Sequence, residues 1–277
     1  MAAGHDGNAV FRSLLVHVGN DGGSAGRVRL AASLAQQHGI RLIGVAAADE
    51  YVSYYGEGGM VSAAMVAEEA ARVERTIATA KSIFDRATTH VAQKDWRSAH
   101  WPATLFVVEE ARRADLVIVG QDTAGGRNAP SFSASQVILG AGRPVLVVPP
   151  SIDELDLRRI VVGWKDTKEI RRTLLDAMPL LRGAEEVVVV TVTRDPPPSA
   201  WDDLKTYLGW HEIAATFVHR SEEEGRAADI LVDLAGVERA GLIVAGAYGH
   251  WKWRERLFGG VTRDLVSNAS VCCFMSH

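Results

Sequence analysis

At 277 residues the chain is long for one compact domain and comfortable for two. Hydrophobic residues make up 47% and charged residues 23%, ordinary globular composition that excludes a disordered chain. The net charge of −4 gives no sign of a broad cationic face for nucleic acid, although local basic clusters remain open, and no run approaches the roughly 20 apolar residues of a membrane span.

The opening segment, MAAGHDGNAVFR, has no basic region followed by an apolar run, so no secretory signal is expected. The adjacent Cys272 and Cys273 suit neither a mutual bridge nor a zinc site and read as small apolar strand residues in a reducing compartment. A cytoplasmic protein with no membrane or nucleic-acid partner is the expectation.

In chain order, Ser13–Val18 (SLLVHV) is a first strand, and Arg27–His38 places Val28, Ala31, Ala32, Leu34 and Ala35 on one side of a helix. Arg41–Ala46 is a second strand, followed by a long helical pattern rich in Ala, Glu and Arg over Ala63–Ala92. Asp115–Gly120 and Pro144–Val148 are two further strands, and Pro149–Leu157 reads as a linker. The series then starts again. Strands are expected at Arg159–Trp164, Glu186–Thr191, Gly241–Gly246 and Val271–Met275. Helices are expected at Ile170–Leu181, Trp201–Trp210 and Val261–Asn268.

The chain is thus written twice. The offset is 146 residues at the first strand (Ser13 against Arg159) and 126 at the fourth (Asp115 against Gly241), so the second copy is shorter between its second and fourth strands. There it carries the proline run Pro196–Pro198 and the shorter helix. Each strand is a short continuous apolar run, the pattern of parallel strands covered on both faces. Alternation with helices implies α/β architecture: two doubly wound five-stranded parallel-sheet domains, residues 1–150 and 151–277, packed as a pseudo-dimer. Two separate sheets are expected, and one continuous sheet across both halves would count against that picture. The last strand nevertheless has no charge or proline to protect its edge, and its internal pairing with Pro144–Val148 is favoured over pairing with a second chain. Any homodimer is then expected to use the long helix or the tryptophan-rich segment described below.

Chemistry concentrates after the fourth strand of the second copy. Gly246 is followed by Gly249 after two residues and by Gly259 after nine more, then by Gly260, Val261 and Thr262 at a helix start. Glycines at a strand end let a ligand approach the backbone. Free N–H groups and the dipole at a helix N-terminus suit a phosphate, and ligands settle at the carboxyl ends of such strands. The bland alternative is that these glycines serve only tight turns and packing.

This spacing resembles the G-x2-G-x9-G-[S/T] motif of ATP-binding universal stress proteins, and the resemblance covers the chain as a tandem of two such domains. It implies a stress-response protein that binds ATP, AMP or a related adenine nucleotide, with or without Mg2+, and regulates a protein partner through it. By the same resemblance the first two glycines lie against ribose and phosphate, and the last glycine with its hydroxyl neighbour holds phosphate. Gly260 stands where that Ser or Thr is expected, and Thr262 is a partial substitute. In the loop Gly163, Trp164, Lys165, the lysine replaces an Asp common near the adenine; it reads either as a phosphate contact or as a solvated loop residue. Val192, ending the second strand, sits where members contact adenine through the backbone. The first copy departs from the motif: Gly125 and Gly126 are out of register, and Ser131 and Phe132 fall on the phosphate-binding positions, so it reads as a structural partner.

His250 either reaches a phosphate or packs on a flap made of Trp251, Lys252, Trp253, Arg254 and Arg256, which otherwise serves as a subunit contact. His17 in the first strand reads as a core or interface histidine, and Asp202 and Asp203 as a solvated helix start. No catalytic residue and no metal site is expected, and hydrolysis of ATP is expected to be slow at most. The adenylating loop S-G-G-x-D-S and the dinucleotide fingerprint G-x-G-x-x-G are both missing from the sequence. The competing reading is a nucleotide-free scaffold or dimerisation protein.

Overall fold

The computed structural model describes residues 11–49, 62–122, 132–194, 200–221, 226–247 and 260–277. The first half runs β1 (Ser13–His17), α1 (Ser24–His38), β2 (Arg41–Ala48), α2 (Ala63–Ala87), β3 (Lys94–His100), α3 (Ala103–Glu110), β4 (Leu116–Gly120), α4 (Ala134–Gly140) and β5 (Val145–Val148). The second half runs β6 (Arg159–Gly163), α5 (Lys168–Leu181), β7 (Glu186–Val192), α6 (Ala200–Trp210), β8 (Ala215–Arg220), α7 (Ala227–Val237), β9 (Leu242–Gly246), α8 (Gly260–Asn268) and β10 (Cys272–Ser276).

The strands form one ten-stranded sheet in the order β3-β2-β1-β4-β5-β10-β9-β6-β7-β8. Each half is five-stranded and parallel with its first strand central, as expected. The expectation of two separate sheets is corrected, because β5 and β10 join edge to edge in antiparallel register, Phe274 opposite Leu146. The physical cause was legible: both fifth strands are apolar, both are buried along their length, and pairing them satisfies two edges at once. Antiparallel pairing also sets the carboxyl ends of the two halves' central strands toward opposite rims of the sheet.

The core lies in two layers. On one face α1, α2, α5 and α6 bury Val28, Leu34, Phe84, Leu174 and Leu208 against Leu14, Ile118, Ile160 and Val244. On the other, α3, α4, α7 and α8 bury Phe106, Val137, Leu231 and Leu265 against Val117, Val161 and Ile243. Both cysteines lie in β10 and are buried. Burial raises the Cys272 thiol to about 12 and pushes Cys273 up further, with Cys272 adding to it, so neither is a reactive thiolate.

Two strands were not anticipated by position. β3 reads KDWRSAH and β8 reads ATFVHR, and both are outer edges of the sheet. Charged, half-exposed edge strands discourage pairing with another chain. The long helix α2 ends at Ala87, short of Ala92, where Thr88 turns its hydroxyl back onto the Phe84 carbonyl at 2.8 Å.

Candidate functional site

In the second half, β6 pairs with β7 on one side and with β9 on the other, placing Gly163 opposite Val190 and Ala245. The chain leaves β6 for α5 on one face, while α8 lies on the opposite face. The carboxyl ends of β6 and β9 therefore flank a crevice of the switch-point kind. Gly163, Val192 and Gly246 are part-exposed along this rim, and Lys165 is exposed.

At the first turn of α8, Gly260 and Val261 are exposed whereas Thr262 is buried. Among the described residues nothing lies within 4 Å of the place a Cβ at Gly260 would occupy. Gly249, His250, Gly259 and the flap Trp251–Arg256 lie outside the described residues, as do Ser131, Gly125, Gly126 and Pro196–Pro198.

Gly246 has a packing duty of its own. A Cβ there would stand 2.7 Å from the Ile170 nitrogen and 3.0 Å from its Cα, because the first turn of α5 passes directly over the strand end. The backbone cannot yield as a side chain would, so any larger residue at 246 displaces α5. Thr167 fixes that turn by accepting the Ile170 N–H at 3.4 Å. A variant at Gly246 therefore reports on the fold first and on a ligand second.

Trp164, unlike Lys165 beside it, is not exposed. It is buried, and it lines a cavity of about 510 Å3 together with α5 and α6 residues, Tyr207 among them.

In the first half a crevice of about 180 Å3 lies at the ends of β1, β2 and β4, the place equivalent to the rim of β6, β7 and β9. Phe132 stacks on His17 across it, ring centroids 4.0 Å apart and planes 12° from parallel. Beneath sits Arg27, its side chain 1% exposed, with Nε donating to the His17 carbonyl at 2.9 Å and Nη2 to Asp21 Oδ2 at 2.8 Å. Its guanidinium lies against Gly120, the counterpart of Gly246. Sequence reading missed this pair, since an Asp in a loop and an Arg six residues on show no periodic signal.

Burial, and secondly the Arg27 charge, lower the His17 pKa from 6.5 to about 3, with Asp21 opposing. The unfolded chain then takes up the proton first as pH falls. His17's contribution is fully present above pH 6.5 and is lost progressively between there and about pH 3. Between pH 7 and pH 5 this one group is expected to remove about 2 kcal/mol of stability. Urea denaturation of the parent and of His17→Phe at both pH values checks it; an equal pH dependence in the two proteins would refute the assignment.

No protein-family model matches the sequence, and no curated protein is significantly similar to it. Among solved structures, a universal stress protein from Archaeoglobus fulgidus superposes with a TM-score of 0.70 at 14% identity, covering 95% of each chain. A functionally unknown protein from Pseudomonas aeruginosa gives 0.52 at 13% identity over 97% of this chain and 93% of its own. A second Pseudomonas aeruginosa protein, described as a universal stress protein, gives 0.54 at 12% identity over 97% and 94%. The fold of the chain is therefore that of the universal stress proteins, spanned over essentially its whole length. No helix among the described residues is long and apolar enough to cross a membrane.

Proposed function

We propose that the chain is a cytoplasmic tandem universal stress protein, with domains at 1–150 and 151–277, whose second domain binds an adenine nucleotide of the ATP/AMP class and acts as a regulatory interaction module. One observation carries this reading. The spacing Gly246, Gly249, Gly259 begins at the carboxyl end of β9, and the next residue in the sequence, Gly260, opens α8, which supports a strand end and a helix N-terminus serving one ligand. Gly163, Trp164, Lys165 and Val192 supply the neighbouring rim, with His250, Gly260, Val261 and Thr262 completing the set. In the first half the Phe132–His17 stack takes the equivalent space, which supports a single site per chain. The residues at the rim offer binding and charge neutralisation rather than a proton-transfer pair, so regulation rather than turnover is the role proposed.

Mass spectrometry of ligand released from freshly purified protein, followed by calorimetry with ATP and AMP, tests the reading. One site per chain is expected. Gly259→Leu is expected to abolish binding by blocking backbone approach, and Gly260→Ser to strengthen it by restoring the hydroxyl, since no described residue lies within 4 Å of the new Cβ. Two equivalent sites, or unchanged affinity in Gly259→Leu, would contradict the proposal. A protein that binds neither nucleotide would leave the scaffold reading.

A further inference from the structure

The first turns of α4 and α8 are equivalent positions in the two halves, and the chain treats them differently. The offset of 126 residues that relates Asp115 to Gly241 also relates the start of α4 at Ala134 to that of α8 at Gly260. In the first half the chain closes this turn itself. Asp122, just past the end of β4, accepts the Ser135 N–H at 3.2 Å and the Ser135 hydroxyl at 2.8 Å. The Ser133 hydroxyl accepts the Gln136 N–H at 3.2 Å. A carboxylate of the chain therefore stands where the helix dipole favours negative charge. At the matching offset the second half has Tyr248, which brings no charge.

What the second half holds near this turn is an arginine. Its strands are all parallel, so α7 and α8, which follow β8 and β9, both start on the carboxyl rim. Arg226 is the N-cap residue of α7. One edge of its guanidinium is held by Asp229 of the same helix, Nε at 2.9 Å and Nη2 at 3.3 Å. That grip turns Nη1 across to α8, where it donates to Asp264 Oδ2 at 3.0 Å. Asp264 follows Gly260 by one turn, and helix geometry sets its side chain on the same face, inclined toward the helix start. The residue of α4 at the matching offset is Ile138, buried and uncharged. The cross-helix ion pair thus occurs in the half where no Asp stands at the position of Asp122.

We infer that Arg226 is the phosphate-selecting residue of the second half: it rests on Asp264 in the free chain and passes to a ligand phosphate arriving at the first turn of α8. The inference rests on the nucleotide reading above and adds to it the residue that makes affinity depend on phosphate charge. The Arg226 side chain is 71% exposed and keeps N–H groups beyond those bonded to the two carboxylates, so a ligand reaches it without any unfolding. An exposed pair with Asp264 is a weak competitor, whereas the arginine fork matches phosphate oxygens two at a time. Asp264 itself repels a phosphate, and more so once its cation is removed.

Calorimetry on the full chain with ATP and with adenosine tests the assignment. Arg226→Gln is expected to weaken ATP binding about tenfold, the loss of one charge-assisted hydrogen bond, and to leave adenosine binding within about twofold. Asp264→Asn should act in the opposite direction. It frees Arg226 and removes a like charge, so ATP binding should tighten about threefold while adenosine binding stays as it was. A purely structural bridge between α7 and α8 predicts that both variants weaken binding together, and that result overturns the inference. So does a loss in Arg226→Gln that is equal for ATP and adenosine. If the parent chain binds ATP and neither variant alters it, this inference falls and the nucleotide reading stands. If the parent chain binds no adenine nucleotide, both fall.

Discussion

Replacing Asp21 with alanine is expected to lower the free energy of unfolding by about 3–5 kcal/mol, the range for stranding a buried charge. Arg27 cannot neutralise itself, because a guanidinium stays protonated in a protein. Its side chain is 1% exposed, so in the parent structure it has almost no water contact to offset the lost carboxylate. After the substitution the His17 carbonyl would remain, among the described residues, as its one hydrogen-bond acceptor. Burial acts to raise the Asp21 pKa, but the hydrogen bond and charge of Arg27, with His17 and the Gly23 N–H, together hold it below its ordinary value. The pair is therefore ionised at neutral pH, and Asp21's contribution fades only as pH falls below the usual carboxylate range. Arg27→Met should be the milder change. It removes the buried cation and leaves Asp21, whose side chain is 28% exposed and can turn to water. Urea denaturation of both variants at pH 7 decides the matter: if Arg27→Met costs as much as Asp21→Ala, the buried cation is not what the pair exists to neutralise.

That pair also shows where sequence reading stops. Periodicity found the strands buried on both faces, because β1, β4, β6 and β9 are nearly unbroken Val, Ile and Leu runs whose environment is uniform. It did not locate β3 and β8, since an edge strand sees sheet on one side only and tolerates Lys94, Asp95 and Arg97 or His219 and Arg220. The start of α5 two residues before Ile170, and of α1 three before Arg27, followed from caps and loop geometry rather than from the apolar stripe. The joining of the halves was visible in part, as an unguarded last strand, but a repeat unit alone does not say whether its edge closes internally.

The candidate site was legible as a spacing and not as a set of duties. Glycines at 246 and 260 look alike in a motif, yet one lies against the backbone of α5 and the other has none of the described residues within 4 Å of its would-be Cβ. Trp164 and Lys165 are neighbours in the sequence, but one is buried beside α6 and the other is exposed. Asp203 read as a solvated helix start and proves to line a cavity, a placement that depends on α6 being short. Such roles depend on what another element brings to within a few ångströms, and local sequence carries no record of that.

The seam between the halves should be the second place where one substitution has a large effect. β10 meets β5 through only three residue pairs, Cys273 with Val147, Phe274 with Leu146 and Met275 with Val145. Phe274 is fully buried there, its ring 6.5 Å from Phe11. Gln121 adds a cross-half bond, its side-chain amide donating to the Ala269 carbonyl at 2.7 Å. Phe274→Ala is expected to cost about 3–5 kcal/mol, the usual range for emptying a buried aromatic site. Because the seam belongs to one continuous sheet, that loss should fall on the whole chain. Tryptophan fluorescence and far-ultraviolet circular dichroism should give coincident midpoints in the parent protein and in the variant, both shifted together. Two separable transitions, only one of them moved by Phe274→Ala, would show instead that the halves fold independently. The same closure predicts the assembly state. With both fifth-strand edges used internally and charged strands at the outer rims, light scattering at micromolar concentration should give a mass near the 29.9 kDa of one chain. A mass near twice that value would require another surface, for which the exposed first turns of α2 at Met65 and Val66 are the place to substitute next.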